Sequence, residues 1–168
     1  MVNYLVAYYG DPCRGCGFAF SSDDENARRI IAGAPDRFDA LLEGRDGTEQ
    51  LPDLSWNASA YTAHCADNTR IWSERAVAAA LGAAGPVTPY DEDSLGEARG
   101  YARLPLEGLL WSLRRAVGDW QAAEALAWPL GFELLHPEQG VLPAPLVLRI
   151  VAHELHRHEG DIARILRA

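Results

Sequence analysis

The chain has 168 residues, 48% of them hydrophobic and 23% charged, with 24 acidic against 15 basic side chains and a formal charge of −9. A domain of that size buries roughly two thirds of its unfolded surface, so neither disulfides nor a structural metal is needed for folding. The acidic balance excludes a nucleic-acid or polyanion binder, which needs a clustered basic face, and because every basic side chain is Arg, Schiff-base chemistry and a phosphate-loop lysine are excluded too.

At the amino terminus, the stretch from Met1 to Gly10 lacks the positive flank of a signal peptide, and no apolar run approaches the roughly 18 residues of a membrane span. A cytoplasmic protein without a membrane partner is the expectation. Residues 1–22 are read as a short irregular extension carrying Cys13-x2-Cys16, in a single domain covering 1–168. Ser22, Asp23 and Asp24 form an acidic helix start for a segment reaching about Glu43, which Pro35 is expected to break in two. After a polar loop from Gly44 to Asp53, a second helix starts near Ser55 or Asn57 and runs through His64 and Trp72 to Leu81. Leu106, Leu109, Leu110, Leu113, Val117 and Trp120 recur at three and four and mark a third helix from Leu104 to about Leu126. The stretch from Trp128 to Leu142 reads as a loop, and a fourth helix follows from Pro143 to Leu166. Four amphipathic segments without strand alternation predict an all-α four-helix bundle.

The fourth segment concentrates the chemistry in His153-Glu154-Leu155-His156-Arg157-His158-Glu159-Gly160-Asp161. Extending the apolar stripe of Val147 and Val151 by steps of three and four lands on Glu154, His158, Ile162 and Ile165. His153 and Arg157 share the face of Arg149 and Arg164, which predicts them outside the buried seam. Glu154 and His158, one turn apart on one face, can meet at a single metal ion. His64, mid-way along the second helix, is either a packed core residue or a third ligand.

These residues resemble a known family. Trp56-Asn57-x5-His64-x2-Asp67, with a carboxy-terminal helix ending His158-x2-Asp161-Ile162, is similar to the DinB/YfiT-like metalloprotein superfamily over nearly the whole chain from Cys13 onward. The resemblance implies a four-helix bundle with a divalent metal on three side chains. Its two-histidine, one-glutamate precedent is the mycothiol-dependent maleylpyruvate isomerases and related thiol transferases. Carried over, this places ligands at His64, Glu154 and His158. Cys13-x2-Cys16-Gly17-Phe18 and Tyr90-Asp91-Glu92-Asp93 resemble an actinobacterial branch, which commonly has the first of two adjacent histidines where Arg157 stands.

Three ligands leave a position open for a water or for a low-molecular-weight thiol such as mycothiol. Zinc is the first expectation for the ion and nickel the second. Asp67 and Asp161, one turn beyond the two histidines, either accept hydrogen bonds behind them or decorate the helix surface. Tyr61, Arg70 and Arg75 either bind an anionic substrate or are solvated. Cys13 and Cys16 have redox spacing without the βαβ context that gives it meaning, so a structural turn or a disulfide is the expected reading. Cys65 reads as a small buried hydrophobe. The function expected is a metal-dependent, thiol-using transferase or isomerase acting on an electrophilic small molecule, alone or as a homodimer. The alternatives are a metal-dependent hydrolase or lyase, and a non-enzymatic ligand-binding bundle with a vestigial metal site.

Overall fold

The structure, a computed structural model, describes residues 4–168. In chain order the elements are α1 (Tyr4–Tyr9), α2 (Asp24–Leu41), α3 (Ala58–Ala80), α4 (Glu92–Arg99), α5 (Leu106–Ala127), β1 (Glu133–His136), β2 (Gly140–Pro143) and α6 (Ala144–Ile165). The four long helices, α2, α3, α5 and α6, form the bundle. Around its circumference the order is α2, α6, α3, α5, so α2 lies diagonally from α3 and α5 diagonally from α6. Both α2–α3 and α5–α6 connections therefore cross an end of the bundle, and α3 and α6 become direct neighbours.

Local chemistry sets the helix starts. Asp23, Asn57 and Asp91 each accept a hydrogen bond from a first-turn backbone N–H of α2, α3 and α4, the usual N-cap arrangement. The loop before α3 completes its cap, because the carbonyls of Glu49 and Gly47 accept from the N–H groups of Ala58 and Ser59 at 3.0 and 2.9 Å. Gly47 lies at φ +83°, and a Cβ there would come within 2.1 Å of Ser59 Oγ, so only glycine fits. Along α3 the small residues Ala58, Ala60, Ala63 and Ala66 are buried and let the neighbouring helices approach closely. Ile31, Phe38, Leu113, Trp120, Leu148, Leu155 and Ile162 fill the core between the helices.

Four sequence expectations are corrected here. Pro35 lies inside a continuous α2. It removes only the one backbone donor that would reach the Ile31 carbonyl, and the helix runs on through it with Ala34, Pro35 and Phe38 buried against the core. The expected loop before α6 holds an antiparallel hairpin pairing Glu133 with Pro143 through His136 with Gly140; its strands are too short for alternation to register. The acidic run at Tyr90 opens an additional short helix, α4, closed by Gly100 at φ +67°. The amino-terminal extension is not irregular throughout, since it begins with α1 and buries Leu5, Cys13, Phe18 and Phe20 in the core. Among the described residues, no helix is long and apolar enough to cross a membrane.

Candidate metal centre

Where α3 and α6 run side by side, His64 from the second turn of α3 meets Glu154 and His158 from successive turns of α6. Their ligand atoms all lie within 4.8 Å of one another. Glu154 Oε2 stands 3.6 Å from His64 Nε2 and 3.3 Å from His158 Nε2, and the two imidazoles are perpendicular with centroids 4.9 Å apart. The Trp56 ring packs 5.0 Å from His64, and Tyr61 packs 5.0 Å from His158.

His64 Nε2 is buried and has no hydrogen-bond partner among the described residues. Leaving such a group unpaired costs about 1–3 kcal/mol. A divalent ion among these three side chains would satisfy it, and two imidazoles with one carboxylate are a fitting donor set. The electrostatics agree. Burial pushes the Glu154 carboxyl up, but the imidazoles of His153, His158 and His64 outweigh it and hold the group well below the usual carboxylate range. Burial pushes His158 down, and hydrogen bonds to Asp161 and Glu154 overcome this and raise it to about 9. Asp161 Oδ2 lies 3.0 Å from His158 Nδ1, leaving Nε2 to face the cluster.

A cleft of about 1040 Å³ opens beside His158, with Tyr61, Arg157, Asp161 and Cys16 in its walls. Arg37 and Arg164, also on the cleft, are paired with Glu159 at 2.8 Å and Asp53 at 2.6 Å. Arg157 instead stands over the Tyr9 ring, 5.7 Å from its centroid. It is half-buried in the cleft wall, outside the cluster of His64, Glu154 and His158. Glu92, in the first turn of α4, has its carboxyl raised by desolvation and by the charge of Glu154, which puts it within electrostatic reach of the cluster. No sequence periodicity signalled Glu92, because α4 is too short to show a stripe.

The remaining predicted site residues divide. Tyr61 and Asp161 adjoin the cluster. Asp67 does not accept from the candidate ligand histidines; its oxygens are taken by Tyr101 at 2.5 Å, by Arg70 at 3.1 Å and by Arg99. Burial pushes its carboxyl up, but these three donors hold it below its ordinary value. Arg70 is spent on Asp67 and Glu74, and with Arg75 it lines a separate cavity. Cys65 is buried, and burial drives its thiol well up.

His153 is the largest departure from the sequence reading. It is buried, not solvent-facing, because Tyr9, Phe18 and Phe20 lie over that side of α6 with ring centroids 4.7, 5.5 and 4.9 Å from the imidazole. His153 Nε2 is 3.4 Å from Cys13 Sγ. The three cysteines are free thiols, so Cys13 and Cys16 form a turn without a disulfide. Burial pushes the Cys13 thiol up, but hydrogen bonds from His153 and from the backbone of Cys16 and Gly15 bring it to about 7.

Sequence comparison finds no family model that matches the chain and no curated protein that resembles it. Comparison with solved structures finds YfiT from Bacillus subtilis, described as a probable metal-dependent hydrolase with an unusual four-helix bundle topology. The two superpose with a TM-score of 0.76 over 86% of each chain, at 18% sequence identity. The chain has the YfiT fold. The four-helix bundle implied by the DinB/YfiT-like resemblance is thus present, and the YfiT-like arrangement is what places α3 and α6, and with them the three candidate ligands, on either side of one point.

Proposed function

We propose that the chain is a metal-dependent enzyme that holds a divalent ion on His64, Glu154 and His158 and acts on a small electrophilic molecule with a low-molecular-weight thiol as co-substrate. Zinc is the first expectation and nickel the second. The observation that carries this reading is the buried His64 Nε2, which makes no hydrogen bond among the described residues and faces Glu154 Oε2 at 3.6 Å, itself 3.3 Å from His158 Nε2. A bound ion would supply Lewis acidity and lower the pKa of a thiol or water placed beside it. The protein's own groups do the positioning. Asp161 fixes the tautomer and orientation of His158, Trp56 and Tyr61 pack aromatic rings against the two imidazoles, and Arg157 offers positive charge to an anionic substrate in the cleft.

A hydrolase is the second reading, supported by the description of YfiT. The test is metal analysis of the purified protein, followed by assays of thiol consumption and of ester or amide hydrolysis in wild type, His64→Ala and Glu154→Ala. Thiol consumption that falls at least about 100-fold in both variants supports the thiol reading. Metal-dependent hydrolysis without thiol use moves the assignment to a hydrolase, and equal rates in all three proteins remove the metal from the chemistry.

A further inference from the structure

A second group of metal-ligating side chains lies on the other side of His153. Cys13 Sγ, Cys16 Sγ and a His153 ring nitrogen all fall within 4.8 Å of one another. We propose that Cys13, Cys16 and His153 form a second metal site, selective for zinc or another thiophilic ion, and that it is joined to the first through the His153–Glu154 contact.

The loop is built as a chelate before any ion arrives. Gly17 N–H donates to the Cys13 carbonyl at 2.8 Å and Cys13 N–H to the Phe18 carbonyl at 2.7 Å, closing a tight turn. Gly17, immediately after the second thiol, sits at φ +76°, a conformation that side-chain-bearing residues resist. On a tetrahedral ion with bonds of about 2.3 Å to sulfur and about 2.0 Å to nitrogen, neighbouring donors stand roughly 3.5–3.8 Å apart. The observed 3.4 Å between His153 Nε2 and Cys13 Sγ therefore needs only a small adjustment.

The imidazole is also held as ligating histidines are held. With Nε2 toward Cys13, its Nδ1 faces Glu154 Oε1 at 3.4 Å, and a metal-bound histidine characteristically gives its other N–H to a carboxylate. Tyr9, Phe18 and Phe20 enclose the ring. Two thiolates and a neutral imidazole balance a divalent charge, and Cys16, only half-buried, leaves a fourth position open on the cleft side. Glu154 then has two tasks on two oxygens: Oε2 faces His64 and His158, and Oε1 accepts from His153. This site does not depend on the proposed function, since none of its three ligands belongs to the first cluster.

The test uses full-length protein, reduced and desalted without oxygen, and titrated with Co²⁺ as a spectroscopic substitute for zinc. Sulfur ligation gives an intense thiolate-to-cobalt charge-transfer band in the near ultraviolet, which a histidine and carboxylate site cannot produce. The band is expected in wild type and in His64→Ala, and is expected to vanish in Cys16→Ser with circular dichroism unchanged. Wild type alone supplies a second measurement: zinc should slow alkylation of Cys16 by iodoacetamide at least about tenfold, reversibly with chelator. Absence of the band in reduced wild type, its survival in Cys16→Ser, its loss in His64→Ala, or alkylation indifferent to zinc would each overturn the proposal.

Discussion

His158 lies between two carboxylates, Glu154 Oε2 at 3.3 Å and Asp161 Oδ2 at 3.0 Å, and this pairing raises it to about 9 in the metal-free protein. Replacing Asp161 by Asn keeps the shape and removes one of the two charges. In Asp161→Asn the His158 titration followed by NMR should move down from that value, and metal affinity should fall about 10- to 100-fold, because an outer-sphere partner sets both the tautomer and the basicity of the ligating ring. Unchanged affinity would make Asp161 a surface carboxylate. Arg157 lends itself to a different measurement. It has an aromatic ring beneath it instead of a carboxylate, so Arg157→Gln should raise KM for an anionic substrate by about tenfold or more while leaving bound metal unchanged, as loss of one charge-assisted contact would. Equal KM values would leave the arginine without a substrate to bind.

The amino-terminal segment acts as a cover over α6 in a way its composition does not advertise. Phe20 is buried against His153 and Phe18, and truncation of a buried aromatic costs about 3–5 kcal/mol. Urea unfolding of Phe20→Ala should show a loss in that range; a loss below about 1 kcal/mol would mean a loosely docked segment. This cover also explains which parts of the fold were legible in the sequence. Of the four long helices, α2, α5 and α6 were readable from a stripe at helical spacing and α3, buried on all sides from Ala58 to Ala66, from its polar start and alanine-rich run; the α6 stripe puts Glu154 and His158 on one face without reference to any neighbour. His153 was misjudged by the same argument. A stripe reports the face that meets the other long helices, and it cannot report a short segment that returns from far away in the chain to cover another face. Pro35 does not end α2 because one missing donor is outweighed by the packing of its own turn, where Ala34, Pro35 and Phe38 are buried. Asp67 looked equivalent to Asp161, each three residues beyond a histidine, yet Tyr101 and Arg99 come from a connection whose path no periodicity encodes.

At the scale of the whole molecule, the order α2, α6, α3, α5 sets the candidate ligands on two neighbouring helices, so an ion bound by them would clamp α3 to α6 and link its occupancy to global stability. In the metal-free protein the folded-state value of His158, about 9, exceeds the unfolded value of about 6.5. Its contribution to stability is therefore complete below pH 6.5 and is lost as the pH rises through 9. Metal binding runs the other way, because His158 must give up its proton to ligate. Between those limits each pH unit should raise the apparent affinity about tenfold, which at fixed excess zinc is about 1.4 kcal/mol of added stability, or roughly 3–5 °C in Tm for a chain of this size. Glu154 does not interfere in this window, since its carboxyl stays ionised well below it. The measurement is thermal unfolding with and without buffered free zinc at several pH values, in a Cys13→Ser/Cys16→Ser background so that neither thiol of the amino-terminal turn adds a metal-linked contribution of its own. The zinc-induced rise in Tm should grow from pH 6.5 to pH 9 and disappear in His64→Ala. A rise that is flat with pH would show that no protonated imidazole is displaced, and a rise that persists in His64→Ala would place the ion elsewhere than between α3 and α6.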